Sequence, residues 1–484
     1  MGRIIAIDIG TSRIKCAAFD SDGIMHGLVS QRLDRASEPD TQDAEAWFAA
    51  VSRLLRELTG GEGRGADAVV LTGNMHALLG VDSHGTPVAP ARLWSDNSAS
   101  QESAELNARY GSMLSERYGN QSIPVFTLPK MLQMKRETPE LYQRAVKFLQ
   151  SKDFIAMRLT GQMATDPTDA SGVLGMSLSD NSWDADFIND LQLDMSKLPD
   201  ILPCTTTVGY VTTEASELTG LAKGTPVIIG SGDLASATLG SGTNAETLSL
   251  TLGTAGQLLA VGSLGDGAKL AGKLFVFAHA NPSQELYLGS VPAGGFALEW
   301  MAKMHNLTME QFFHLAQGIP LSPRLPVFLP YILGKGAPSM DYTPAGAWLE
   351  LRADHTLAEL CKAAIFGTLC PLRQCADLLE RLTRKRSKVV LQALACRETP
   401  VRDCAAALFP QQKLMPAASE ASLLGAAIIG FTALGAYPTI DNALAAMCSL
   451  HPLEAPPCPE AQNMFHHWLS CATNTIQENK HNGR

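Results

Sequence analysis

Apolar residues arrive in this chain in short blocks that alternate with helix-period stretches, and two of the blocks share one plan. Residues 4–9 and 14–19 are apolar runs of strand length around Gly10-Thr11-Ser12, and residues 248–252 and 257–261 flank Gly253-Thr254-Ala255 in the same way. Each reads as strand, Gly-Thr turn, strand. Such a turn offers backbone N–H groups and small hydroxyls with no bulky side chain in the way, which suits polyphosphate. Two copies half a chain apart predict two similar domains facing a nucleotide from opposite sides. Only the first copy carries an acid, Asp8, and a hydrated Mg²⁺ is expected there.

Residues 43–58 repeat apolar positions at helical spacing, and Gly60-Gly61-Glu62-Gly63 separates them from a buried-strand run at 68–73. This alternation predicts an α/β fold. A helical region is expected over 98–159, interrupted at Pro124 and Pro129, then a buried strand at 225–230 running into Ser231-Gly232-Asp233. The small-residue stretch 239–244 marks the expected boundary, giving domains 1–242 and 243–440 and a helical tail, 441–484. After the second hairpin the pattern predicts a strand near 274–278, an apolar helix over 294–304 and a long helix over 356–382. A strand at 389–392 and a small-residue helix over 419–434 follow. The Pro-rich stretch 452–459 leads into a terminal helix with a frayed tail.

A chain of 484 residues is too long for one ordinary core, and 45% hydrophobic with 18% charged residues describes a compact globular protein. The net charge of −10 opposes a nucleic-acid partner, so the densest basic cluster, 381–388, reads as the solvated end of a helix. Ten cysteines without a C-x-x-C pair or zinc spacing suggest buried thiols in a reducing compartment, and a cytoplasmic location is expected. The N-terminus enters a strand without an h-region. The uncharged stretches 247–265 and 421–440 are broken by glycine and read as buried hairpin and buried helix, so no membrane partner is expected. A homodimer is the default oligomer.

Asp233 follows an apolar strand and is surrounded by small residues. It reads either as a carboxylate able to take a proton from a substrate hydroxyl or as the N-cap of a helix, and the two are compatible. His76 stands at the end of another strand, and Trp94 and Asp96 share a loop. Polar groups beside an apolar wall are what sugar recognition needs. His466-His467 reads as part of an amphipathic helix.

In order, Asp8-Ile9-Gly10-Thr11-Ser12, Gly73-Asn74-Met75-His76, Leu93-Trp94-Ser95-Asp96, Gly230-Ser231-Gly232-Asp233 and Leu252-Gly253-Thr254 resemble the motifs of the FGGY carbohydrate kinases, with the xylulokinase pattern nearest. Ser151-Lys152-Asp153-Phe154, Asp166-Pro167-Thr168-Asp169 and Leu424-Gly425-Ala426-Ala427 extend the likeness over residues 3–435. The resemblance implies two actin-like ATPase (ribonuclease H-like) domains with ATP and a sugar in the cleft between them. It implies transfer of the γ-phosphoryl group to a terminal hydroxyl of an open-chain ketose. Carried over by motif, Asp233 would be the general base and Asp8 would orient Mg²⁺. Gly10, Thr11 and Ser12 would line the phosphate path, facing Gly253 and Thr254, and Gly425 would border the nucleotide. Met75, His76, Trp94 and Asp96 would hold the sugar.

Several positions depart from that pattern. Ser98 stands where the family has Arg, Asn74 where xylulokinases have Gln, and Gly334-Lys335-Gly336-Ala337-Pro338 replaces Gly-Glu-Arg-x-Pro. The Gly-Gly-Gly-Ala adenosine turn is replaced by Gln392-Ala393-Leu394-Ala395-Cys396, and Leu394 should crowd that site. Two functions therefore stand at this point: an active kinase, and a sugar-binding relative with weak or no turnover.

Overall fold

In a computed structural model, residues 2–33, 40–60, 66–416, 420–454 and 458–481 are described; the break at 61–63, Ser419, Pro456-Pro457 and the tail from Asn482 fall outside them. The first sheet contains β1 (Ile4–Ile9), β2 (Arg13–Phe19), β3 (Met25–Arg32), β4 (Ala68–Gly73), β5 (Thr207–Tyr210) and β6 (Pro226–Gly232). Their spatial order is β5-β6-β4-β1-β2-β3. The β1/β2 hairpin is antiparallel, while β1/β4 and β4/β6 are parallel. The second sheet holds β7 (Thr247–Leu252), β8 (Gly256–Ser263), β9 (Phe275–Ala278), β10 (Gln284–Val291), β11 (Lys388–Ala393), β12 (Gln412–Pro416) and β13 (Leu450–Pro452), ordered β9-β10-β8-β7-β11-β12-β13. Here too a hairpin, β7/β8, lies beside a parallel strand, β11. The plan is duplicated.

Parallel register aligns the strand ends. Ile9 pairs with Gly73 and Gly73 with Gly232, so the segments after β1, β4 and β6 leave the sheet at one edge. β1, β4 and nearly all of β6 are buried, as parallel strands covered on both faces must be. On one face Ile5, Ile7, Ile9, Val69 and Leu71 pack against α1 (Ala44–Thr59) and α2 (Ser151–Thr160). The Asp43 carboxylate accepts the Glu45 N–H to start α1, and Gly60 ends it at φ 67°. Strand alternation puts Ile4, Ala6 and Asp8 on the other face. That face is covered by a helix from the second half of the chain, α5 (Ala421–Ala433), through Leu424 and Ile428. α5 crosses α3 (Asp233–Gly240), which continues directly from β6. A Cβ on Gly240 would lie 1.9 Å from the Ala421 carbonyl, and one on Gly425 1.8 Å from that of Ser236, so the two backbones touch.

The second core is organised by α4 (Leu357–Leu382), whose N-terminus carries a Thr356/Glu359 capping box. The basic run that follows is more than a solvated helix end. Arg386 is buried, donates to the Val261 carbonyl at 2.9 Å, and is pushed down to about 10 by burial. Residues 98–159 also differ from one interrupted helix: Ser100–Tyr118, Thr127–Glu137, Pro139–Arg144 and α2 are separate helices, and Lys147–Leu149 is a strand. Pro129 lies in the first turn of its helix, where no intrahelical N–H bond is lost, so it breaks nothing.

Behind the aligned strand ends sits a fully buried ion cluster. Lys152 Nζ lies 2.6 Å from Asp153, 2.7 Å from Asp166 and 3.2 Å from Asp169. Burial opposes the ammonium, but the three carboxylates hold Lys152 well above its ordinary range; burial drives Asp169 well above the carboxylate range. Asp166 accepts the Thr168 N–H at 2.8 Å, and Thr168 Oγ1 accepts the Gly232 N–H at 2.8 Å, so the cluster reaches the end of β6. Replacing Lys152 by Met should strand these carboxylates and cost about 3–5 kcal/mol, read as a large fall in the thermal or urea midpoint.

Candidate active site

The mouth of the first sheet gathers the acids. Glycine is required at position 10, where a Cβ would lie 2.7 Å from the Arg13 carbonyl. Asp8 Oδ2 accepts the Ser422 hydroxyl at 2.6 Å, while its buried Oδ1 has no partner among the described residues. Burial raises the Asp8 pKa, with Ser422 and Lys15 opposing; Lys15 itself pairs with Glu420 at 2.5 Å. Asp233 is the first residue of α3. The N-cap position belongs to Gly232, and no side chain caps the helix, so the capping role considered for Asp233 is not the one it plays. A Cβ on Gly232 would come within 2.7 Å of Met75 Cγ, which explains the bare backbone beside the acid. Burial, then the charge of Asp8, push Asp233 up to about 7. One carboxylate with an open oxygen and one poised near neutrality form a donor set fit for a divalent cation and a proton acceptor.

Around them lies a second group. The Asn74 backbone N–H and side-chain amide both donate to the Ile9 carbonyl at 2.9 Å, fixing β4's exit to β1's. His76 has φ 65° and its Nδ1 lies 2.9 Å from the Gly172 carbonyl. A carbonyl only accepts, so Nδ1 carries the proton and Nε2 is left as an acceptor. Burial pushes His76 down to about 4, keeping it neutral, between the rings of Phe126 and Phe277 at 5.1 and 5.8 Å. Lys130 donates to the His76 and Leu93 carbonyls at 2.9 and 2.6 Å. Trp94 is half exposed, and its indole N–H donates to Thr11 Oγ1 at 2.9 Å, tying this group to the Gly-Thr turn. Asp96 is buried and accepts from Arg92.

The carbonyls of the second hairpin's turn are engaged by a helix start. Gly253 and Thr254 accept the N–H groups of Gly295 and Phe296 at 2.7 and 3.0 Å, at the start of the helix Gly295–Met304. Next to it, at the end of β11, Ala393 has φ 53° and ψ −130°, a conformation that favours glycine, and a short helix, Leu394–Arg397, follows. Leu394 Cδ1 lies 3.2 Å from where a Gly295 Cβ would stand. Gly425 is placed inside the α3/α5 crossing, against the Ser236 backbone.

The N-terminal and C-terminal domains of the FGGY family of carbohydrate kinases match residues 3–240 and 249–434. The chain belongs to this family. It is 27% identical over 474 residues to a xylulose kinase of Lactococcus lactis, covering 96% of this chain and 94% of that one. It is 28% identical over 466 residues to a xylulose kinase of Escherichia coli, covering 95% of each. A ligand-bound xylulose kinase of Lactobacillus acidophilus superposes with a TM-score of 0.90 at 23% identity over 98% of this chain and 99% of that one, so the fold is the two-domain, actin-like sugar-kinase fold. The chain is thus a sugar kinase of a family that uses ATP. Among the described residues no helix is long and apolar enough to cross a membrane.

Ser422, Arg92 and Lys130 contact candidate residues here without having been assigned a role from the sequence. Ser422 had a signal, a hydroxyl in the first turn of a helix of mostly small and apolar residues; Lys130 had one in the family-like stretch Pro129-Lys130-Met131-Leu132, though not a role. His467, in the C-terminal helix Pro459–His481, pairs with Glu350 at 3.0 Å.

The raised Asp233 pKa has a cost that can be measured. Its ordinary value is 3.8, so between about 4 and about 7 the folded protein binds a proton that the unfolded chain releases, and stability falls as pH rises through that window. Asp233→Asn should melt a few degrees above the unsubstituted protein at pH 8, with the gap closing toward pH 4 in a calorimetric pH series.

Proposed function

We propose that this kinase transfers the terminal phosphoryl group of ATP to a terminal hydroxyl of an open-chain ketose, with D-xylulose as the first acceptor to assay. The pairing of Asp8 and Asp233 at the shared mouth of β1 and β6 is the observation that carries the reading. Asp233, near neutrality, takes the proton of the attacking hydroxyl. Asp8, through the oxygen Ser422 leaves open, holds Mg²⁺, which when bound supplies charge neutralisation at the phosphate oxygens. The Gly10-Thr11-Ser12 turn and the Gly253-Thr254 turn flank the phosphates. Neutral His76 offers Nε2 to a sugar hydroxyl, Met75 and Trp94 give an apolar wall, and Asp96 accepts a second hydroxyl. The xylulose kinases among its relatives point to a ketose, and the chain divides in this reading into 1–242, 243–440 and a tail from 441. Domain closure over both substrates limits hydrolysis of ATP.

Ala393 keeps the backbone bend that a glycine would make, which favours a working nucleotide turn over a decayed one. Leu394 narrows it. Leu394→Gly should therefore lower the KM for ATP while leaving the sugar KM in place.

The main test is ADP release with Mg²⁺-ATP and a panel of ketoses and polyols. Asp233→Ala should reduce kcat by about 10²–10⁴-fold while calorimetry still detects sugar binding. Because the base acts deprotonated, kcat/KM should fall as the pH drops below about 7. Near-normal turnover of Asp233→Ala would defeat the assignment.

A further inference from the structure

Arg92 ends the short strand Ala91–Arg92. Its backbone is paired with Leu78, two residues beyond His76, at 2.8 and 3.1 Å. The guanidinium is mostly covered, with 18% of the side chain exposed, and it works as a fork. Nε donates to Asp96 Oδ2 at 2.6 Å, and Nη2 donates to Ser98 Oγ at 2.7 Å and to Gln133 Oε1 at 2.6 Å. The Ser98 N–H closes the arrangement on Asp96 Oδ1 at 2.9 Å. Burial works against the Asp96 charge, but the Ser98 and Arg92 hydrogen bonds hold its pKa below the ordinary carboxylate value. Asp96 is therefore an acceptor with a fixed aim, and a fixed acceptor reads hydroxyl donors.

We propose that Arg92 is the positioning residue of this carboxylate: its guanidinium fork fixes the aim of Asp96, with Ser98 and Gln133 completing the bracket. The inference rests on the proposed role of Asp96 in holding the acceptor sugar. Serine at 98 is short enough to accept from Arg92 and still lend its N–H to Asp96. A lysine at 92 would keep the charge but lose the planar fork that engages Asp96, Ser98 and Gln133 together.

The test compares the unsubstituted enzyme with Arg92→Met, Arg92→Lys and the double variant Arg92→Met/Ser98→Arg. Sugar KM, ATP KM and kcat are measured for each on the acceptor found active, with sugar binding measured separately by calorimetry. Arg92→Met should raise the sugar KM about tenfold or more, the loss of a charge-assisted pair, with the ATP KM unchanged. Arg92→Lys should fail to restore it. The double variant should bring the sugar KM back within about threefold of the original, a rescue that a merely structural role would not produce. An unchanged sugar KM in Arg92→Met, or equal damage to both KM values that the double variant leaves uncorrected, overturns the inference. Should Arg92→Met fail to fold, Arg92→Lys decides: a raised sugar KM upholds the fork, an unchanged one overturns it. An unsubstituted enzyme that phosphorylates no ketose or polyol overturns the functional reading itself, and this inference with it.

Discussion

A single ammonium inside three carboxylates holds the working edge of the first sheet in register. Lys152 projects from α2, whose first residue, Ser151, donates to the Asn74 carbonyl at 2.9 Å, its Oγ 2.7 Å from where a Gly73 Cβ would stand. Through Asp166 and Thr168 the same cluster reaches the Gly232 N–H. The exits of β4 and β6 are thus gripped from one side by one helix. Buried ion groups contribute little net stability when compared with an apolar filling, but they are demanding about geometry. That demand suits a mouth where two other acids must meet at a fixed separation.

The opposite face is held by a helix that arrives some 190 residues after the sheet is complete. α5 lays Leu424 and Ile428 on Ile4, Ala6 and Val70, and Ser422 at its start reaches Asp8. The two halves of the chain therefore share a core as well as a boundary. Asp8 sits where strand alternation would place an apolar residue, between a covering helix and the opening. Its discomfort there is met by one hydroxyl and by Lys15, and it is passed on to Asp233 as a raised pKa. Low solvation and a like-charged neighbour are what turn an ordinary aspartate into a group able to exchange a proton near neutral pH.

Much of this was legible in the chain itself, for local reasons. The paired Gly-Thr hairpins, the strand running into Gly232-Asp233 and the small-residue helix near 421–433 each declare themselves within about ten residues through apolar blocks and glycines. The contacts that complete the site are not local. Ser422 and Asp8 are 414 residues apart, and Lys130 reaches the His76 and Leu93 carbonyls from 54 and 37 residues away. Arg386 looked solvated because its neighbours are charged, yet its guanidinium turns inward to a carbonyl of β8. Pro129 looked like a breaker because composition does not reveal whether a proline stands in a first turn or a later one. The Ala393 bend is the reverse case: side-chain identity argued against a conformation that the backbone adopts nonetheless.

The crossing of α3 and α5 has a consequence for how this protein tolerates change. At Gly240 and Gly425 the two helices meet main chain to main chain, with no side chain between them to yield. Asp233 begins one helix and Ser422 stands near the start of the other. A single methyl group added at either glycine would wedge the pair apart and carry the two ends with it. The separation of the acids is thus gauged by bare backbone about 10 Å from the proton it governs, one turn-by-turn length of α3. Drift at those two glycines would detune acidity at the mouth without altering either acid.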